Sequence, residues 1–283
     1  MIMDVIKAII YGIIEGISEW LPISSTGHLI LAQEWISFST MSDAFVEMFN
    51  VVIQLGAIMA VVVAFWHNIW PLRTQAKTKK LFLSPEVLNL WKKILIASVP
   101  AAIIGLLFDD RIDALFFNPW VVSAMLILYG ILFIVIEKRQ ENKQFSITDI
   151  KEIDYKTALI IGLFQILALI PGTSRSGATI LGALLIGVNR TTGAQFTFYL
   201  AIPVMFGASL LKIVKFFMNS GFFTGPELLV LLVGSAVAFW VSLKAIHFLM
   251  KYVKTNDFSI FGFYRIILGV LVLLYFGVQL VLA

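Results

Sequence analysis

The chain contains no cysteine. Disulfides, thiolate nucleophiles and Cys-ligated metals are therefore excluded. Charge is scarce too. Asp, Glu, Lys and Arg make up 13% of the 283 residues, against roughly 25% in an ordinary soluble domain. What fills the chain is apolar: 60% of the residues are hydrophobic, and the mean hydropathy is +0.95. That is the composition of an integral membrane protein. The net charge of +4 is modest. In a membrane protein it reports orientation, and no nucleic-acid partner is expected. Residues 1–11 have no clear basic flank and no Ala-x-Ala-like site, so no cleaved signal peptide is expected.

Against this background the stretch 15–28 stands out: Glu-Gly-Ile-Ser-Glu-Trp-Leu-Pro-Ile-Ser-Ser-Thr-Gly-His. Glu15 and Glu19 are four apart, so on a helix they share one face. Like charges at that spacing repel unless a cation sits between them. Pro22 cannot continue the helix, and it pushes Leu21 out of helical geometry. Ser24, Ser25 and Thr26 are residues that cap a new helix, and Gly27 allows close approach of the backbone. Helix, break, second helix leaves hydroxyls and free N–H groups at the break, which suits an anion, phosphate above all. In a soluble protein a plain cap and a solvated Glu face would be the default. At membrane depth ionisable groups are costly and usually functional.

The rest of the chain divides into apolar runs. The first, 4–36, is too short on each side of the break for two full spans, which need about 20 apolar residues each. It reads as a re-entrant pair, with broken backbone buried in protein or facing a wet cavity. Spans are expected at about 44–66, 94–108 and 120–136. In the first of these, Glu47, Asn50 and Gln54 form a polar stripe expected to face the bundle interior, as site support or as interhelical hydrogen bonds. A basic loop holds Arg73, Lys77, Lys79, Lys80, Lys92 and Lys93. Asp109, Asp110, Arg111 and Asp113 make an acidic turn, Asn118-Pro119 opens the next span, and 137–156 is a polar connector.

The second half repeats the first. A re-entrant pair at 155–188 is broken by Pro171-Gly172-Thr173-Ser174-Arg175-Ser176-Gly177, and spans follow at about 196–217, 227–250 and 258–282. The halves align with a shift of about 150 residues: Gly27 falls on Gly177, Thr26 on Ser176, Pro22 near Pro171. The expected architecture is all-α, two repeats (1–150 and 151–283), each a re-entrant pair plus three spans. An odd span number inverts the second copy, with the site at the repeat interface. Lys and Arg concentrate around 67–93, 137–157 and 250–258, which the positive-inside rule places in the cytoplasm. Both termini then lie outside, and the acidic, His-bearing break opens to the outer face.

Together the breaks bring Glu15, Glu19, Ser24, Ser25, Thr26, Gly27, His28, Ser174, Arg175, Ser176 and Gly177. Arg175 is a rigid fork of donors suited to phosphate. Ser25 or Ser24 is a candidate nucleophile with His28 as its base, or His28 attacks phosphorus itself. Glu15 and Glu19 are candidates for a divalent cation, or for general acid–base work. A purely structural ion pair of Arg175 with Glu15 or Glu19 is the alternative. So is an anion transporter, which needs an anion site but no nucleophile.

The pattern Glu-Gly-x-x-Glu-x-Leu-Pro-x-Ser-Ser-Thr-Gly-His (Glu15 to His28), with Pro-Gly-x-Ser-Arg-Ser-Gly-Ala-Thr (Pro171 to Thr179), resembles the bacterial undecaprenyl-diphosphate phosphatase family, also called the bacitracin-resistance family. The resemblance extends to segments 49–57 and 196–208. It implies metal-assisted hydrolysis, with Mg²⁺ or Ca²⁺, of undecaprenyl diphosphate to undecaprenyl phosphate and inorganic phosphate, in the bacterial plasma membrane. The carrier then serves peptidoglycan synthesis again, and bacitracin, which binds the diphosphate, is resisted. Glu15 and Glu19 match the family's essential acids and metal ligands, Ser25 and His28 its nucleophile or base, and Arg175 its phosphate-binding arginine. The expected partners are the polyprenyl diphosphate and membrane lipids. A homodimer is left open, no face being a clear dimer seam.

Overall fold

The computed structural model describes residues 1–74, 81–141 and 143–282; of 109, 110 and 113 only the backbone is described. The expected Lys77, Lys79 and Lys80 lie outside the described residues. In order the helices are α1 (Ile2–Ser18), α2 (Ser25–Trp35), α3 (Asp43–Val52), α4 (Gln54–Ala64), the short α5 (Trp66–Ile69), α6 (Pro85–Phe116), α7 (Pro119–Gln140), α8 (Tyr155–Ile166), α9 (Arg175–Leu185), α10 (Arg190–Ser220), α11 (Gly225–Tyr252) and α12 (Ser259–Leu282). Among the described residues six helical stretches are long and apolar enough to cross a membrane: Asp43–Ala64, Pro85–Phe108, Pro119–Gln140, Arg190–Ser220, Gly225–Tyr252 and Ser259–Leu282. The chain is a multi-pass, all-α membrane protein. An antiparallel ribbon, β1 (Leu72–Thr74) on β2 (Leu81–Leu83), stands where only a loop was expected.

Several helix starts have a chemical reason. Asn118 caps α7, its side chain accepting from Val121 N at 3.0 Å, and Pro119 occupies the first turn, where its missing N–H costs nothing. Asp154 caps α8, and the Thr157 N–H (2.7 Å) holds its carboxyl below the ordinary range. The expected span 44–66 is present as Asp43–Ala64, made of two helices that meet at Ile53, and the carbonyl of Val51 beside the joint accepts from Ser209 Oγ of α10 at 3.3 Å. A hydroxyl from a neighbouring helix is the usual remedy for backbone left unpaired in a membrane.

Other expectations are corrected. The acidic turn at 109–113 is helical backbone, because α6 continues to Phe116. The polar connector does not begin at 137: α7 runs to Gln140, and the Glu137 carboxylate is buried, gripped by Arg190 Nε at 3.0 and 3.1 Å and by the Phe258 N–H at 3.0 Å. A buried carboxylate is tolerated because it is paired and fully hydrogen-bonded. The stripe Glu47–Asn50–Gln54 does not lie wholly inside. Glu47 is exposed and reaches Lys212 at 2.8 Å, whereas Asn50 and Gln54 are half-buried on either side of Ile53.

The packing crosses between the halves of the chain. α1 lies along α11, where Gly12 meets the Gly234 carbonyl and Gly16 faces Ala238 and Val241. α8 lies along α6, with Gly162 against Ala97. Between α7 and α12, Gly130 and Gly262 face each other, and a methyl on either would sit 2.7 Å from the other's carbonyl oxygen. Small residues allow such approach, and in a bilayer close packing supplies much of what holds helices together. The early helix of each half therefore rests on a late or middle helix of the other, which brings the two breaks together at the centre.

Candidate functional site

Both breaks are built alike. α1 ends at Ser18 and α2 starts after Ser24; α9 starts after Ser174. Ser24 has φ 72° and Ser174 has φ 71°, and among the described residues no other non-glycine residue has positive φ. That conformation costs of order 1 kcal/mol for an L-residue and recurs at ligand clamps. In return each serine side chain caps its helix: Ser24 Oγ accepts from Gly27 N at 3.4 Å, and Ser174 Oγ from Gly177 N at 3.2 Å. Each break therefore ends in a helix N-terminus, with the partial positive charge and free N–H groups of a first turn.

The two breaks are joined through Glu19. Its Oε1 accepts from Arg175 Nη2 at 3.0 Å, its Oε2 from Ser25 Oγ at 2.9 Å, and its backbone carbonyl from Ser176 Oγ at 3.1 Å. Ser174 Oγ lies 3.1 Å from Ser176 Oγ. Arg175 is held from two further sides. Its Nη1 donates to Thr197 O of α10 at 3.0 Å, and its guanidinium lies 5.7 Å from the centre of the Trp20 ring. Its Nε–H is buried and has no partner among the described residues. A buried, unpaired donor of fixed charge can receive an anion's oxygen without prior rearrangement.

Glu15 lies wholly buried, one turn before Glu19, and among the described residues neither carboxylate oxygen has a hydrogen-bond partner. An unpaired buried carboxylate is among the costliest groups a protein can carry. Its orphaned oxygens fit a cation, and with Glu19 it makes the two-carboxylate set that a hard divalent ion shares with phosphate oxygens. Among the described residues no group of three or more His, Asp or Glu is arranged to hold a metal alone.

His28 is placed differently from the expectation. Its Nδ1 meets the Ser24 carbonyl at 2.7 Å and its Nε2 the Tyr264 hydroxyl at 2.7 Å. Among the described residues no hydrogen bond joins His28 to Ser25, whose hydroxyl is given to Glu19 instead. Thr26 is half-buried and Gly27 buried, in the first turn of α2. Asn50 and Gln54 make no hydrogen bond to the site among the described residues, and Asn50 Oδ1 is buried without a partner.

Two positions at the breaks were not singled out from the sequence. Arg265 of α12 is fully buried, and among the described residues it makes no ion pair. Its Nη1 donates to Pro22 O at 3.2 Å, and its Nη2 to Gly172 O and Thr173 O, both at 2.8 Å. One guanidinium thus holds the carbonyls of both breaks, and its Nη1 stands 3.1 Å from where a Gly177 side chain would begin. The only signal was an arginine inside an apolar run. The second is Tyr264, which nothing in the local sequence marks.

Comparison with known proteins agrees with the motif. Residues 8–271 match the family model described as bacitracin resistance protein BacA. The chain is similar to the undecaprenyl-diphosphatase of Acetivibrio thermocellus, 57% identical over 275 residues, covering 97% of this chain and 98% of that protein. It is 56% identical over 272 residues to the undecaprenyl-diphosphatase of Enterococcus faecalis (96% and 97% covered). With that of Streptococcus mutans it shares 52% identity over 282 residues (100% and 99% covered).

Proposed function

The chain belongs to the bacitracin resistance protein BacA family, and on that footing we propose that it hydrolyses undecaprenyl diphosphate to undecaprenyl phosphate and inorganic phosphate. The product re-enters peptidoglycan synthesis, and removal of the diphosphate confers resistance to bacitracin. The observation that carries the site assignment is the chain Arg175–Glu19–Ser25, which couples a fixed cation, a carboxylate and a hydroxyl across the two breaks.

In this reading the terminal phosphate lies against the first turns of α2 and α9. Backbone N–H groups there and the free Arg175 Nε–H meet its oxygens, with Ser24, Thr26, Gly27, Ser174, Ser176 and Gly177 lining the cradle. Ser25 attacks. Its proton passes to Glu19 Oε2, Oγ bonds to the terminal phosphorus, and the bond from that phosphorus to the bridging oxygen breaks, releasing undecaprenyl phosphate. Water then attacks the phosphoserine. Glu19 returns its proton to Oγ, takes one from the water and releases it to solvent as inorganic phosphate leaves. Glu19 is the base in preference to His28 because the Ser25 hydroxyl already points at it.

Glu15 and Glu19 would hold a divalent cation, Mg²⁺ or Ca²⁺. When bound, it neutralises phosphate charge. The matching breaks and the exchanged helix packing support two inverted-topology repeats, 1–150 and 151–283, each a re-entrant pair followed by three spans. The concentration of Lys and Arg at one set of loops supports a site that opens to the outer face of the bacterial plasma membrane.

The test is phosphate release from a long-chain polyprenyl diphosphate by the purified protein in detergent. The expected result is release that EDTA stops and Mg²⁺ or Ca²⁺ restores. Folded protein that releases no phosphate with cation supplied overturns the reading.

A further inference from the structure

α12 delivers two consecutive residues to the site, and they do different things. Arg265 is buried on backbone carbonyls. Tyr264 is 43% exposed, with its hydroxyl 2.7 Å from His28 Nε2 and its ring nearly parallel to the imidazole, at 9° and 5.6 Å between centres.

The partners of His28 decide where its protons are. A carbonyl oxygen only accepts, so Nδ1, 2.7 Å from Ser24 O, carries a hydrogen. In a neutral imidazole the lone pair is then on Nε2, and Tyr264 is the donor within reach among the described residues. Both nitrogens are thereby committed: one to the strained cap residue of the first break, the other to a helix remote in sequence. The residues on either side of Tyr264 along α12, Ile260 (57% exposed), Phe263 (56%) and Ile267 (60%), turn their side chains outward in a membrane-spanning helix. The His28–Tyr264 pair therefore forms the bilayer-side edge of the site.

We propose that Tyr264 is the positioning residue for His28: its hydroxyl fixes the imidazole's tautomer and rotamer, and the pair presents a polar contact at the edge where the head group of a lipid diphosphate enters. This rests on the diphosphatase reading.

The test is Tyr264→Phe, which keeps the ring and removes one hydroxyl, with Tyr264→Leu as a second variant that removes the ring as well. Two readouts are taken on folded, purified protein. The first is the rate at which diethyl pyrocarbonate modifies His28, followed by mass spectrometry with His67 and His247 as references in the same digest. The second is the kcat and KM of polyprenyl diphosphate hydrolysis. Tyr264→Phe is expected to speed His28 modification several-fold. It is expected to lower kcat about fivefold to tenfold, the range of one lost hydrogen bond, with KM changed less than about twofold. A His28 modification rate equal to wild type in both variants overturns the pairing, even if the wild-type protein releases no phosphate. Faster modification with unchanged kcat overturns the positioning role. Absence of phosphate release by wild type, with the modification pattern as expected, removes the diphosphatase reading while leaving the pair intact.

Discussion

Arg175, at the start of α9, reaches Glu19, just past the end of α1, with Nη2 3.0 Å from Oε1, and both side chains are almost sealed from solvent at 11% and 8% exposure. An ion pair this enclosed adds little to stability by itself, since desolvation offsets most of the attraction. Its consequence is geometric. It leaves the second carboxylate oxygen of Glu19 free to face Ser25 and fixes the guanidinium with its Nε–H unpaired among the described residues.

Removing either partner should abolish most activity without unfolding the protein. Arg175→Ala is expected to lower kcat by about 10²–10³-fold, the cost of losing a preorganised charge donor. Glu19→Gln keeps the shape and removes the base, for about 10²–10⁴-fold. The double variant Arg175→Ala/Glu19→Gln should lose far less than the sum of the singles, because the two act as one unit. Phosphate release by the four proteins checks this; additive losses would argue against a shared role.

Ser25 and His28 separate by mutation. Ser25→Ala should reduce turnover by at least about a thousandfold, as loss of a nucleophile does. His28→Ala should be milder, because the Ser25 hydroxyl points at Glu19 and not at the imidazole. Steady-state rates for the two variants decide it, and the reverse ranking would favour His28 as the attacking group.

Arg265→Met should destabilise as well as inactivate. It strips the donors from the carbonyls of Pro22, Gly172 and Thr173, for roughly 3 kcal/mol or more. The expected observation is a lower melting temperature in detergent together with loss of phosphate release. A melting temperature equal to wild type would show that the two breaks hold together without it.

Glu137 and Arg190 make the opposite case, structural without being catalytic. Glu137→Ala leaves Arg190 and the Phe258 N–H without a partner and should cost about 3–5 kcal/mol. Glu137→Met/Arg190→Met should recover much of that loss, since an apolar pair of similar size needs no counter-charge. Thermal melts test the ranking, and kcat of the folded fraction should stay near wild type in both.

The sequence made the breaks legible because their signals are local. Proline, serines and glycine within a few positions can only interrupt and restart a helix, and Ser24 and Ser174 do so with nearly the same φ. Six apolar runs were visible by length, although the joint at Ile53 was not, since it holds neither proline nor glycine. The extension of α6 to Phe116 was hidden because acidic residues past the apolar run resemble a turn, yet they continue the helix. Partner choice inside the site was also out of reach. The adjacency of Ser25 and His28 in sequence suggested a pair, but a helix turns the His28 ring back toward the Ser24 carbonyl four residues earlier. Arg265 and Tyr264 come from the far end of the chain, where only the finished packing of α12 against α7 and α2 reveals them.

The central claim is that Ser25, activated by Glu19, takes the phosphoryl group. It is tested most directly by mixing the protein with polyprenyl diphosphate labelled in the terminal phosphate, quenching within a single turnover, and locating the label on the chain. Acid-stable label is expected on the peptide that carries Ser25, absent in Ser25→Ala. Acid-labile, base-stable label on His28, or turnover retained in Ser25→Ala, would contradict it.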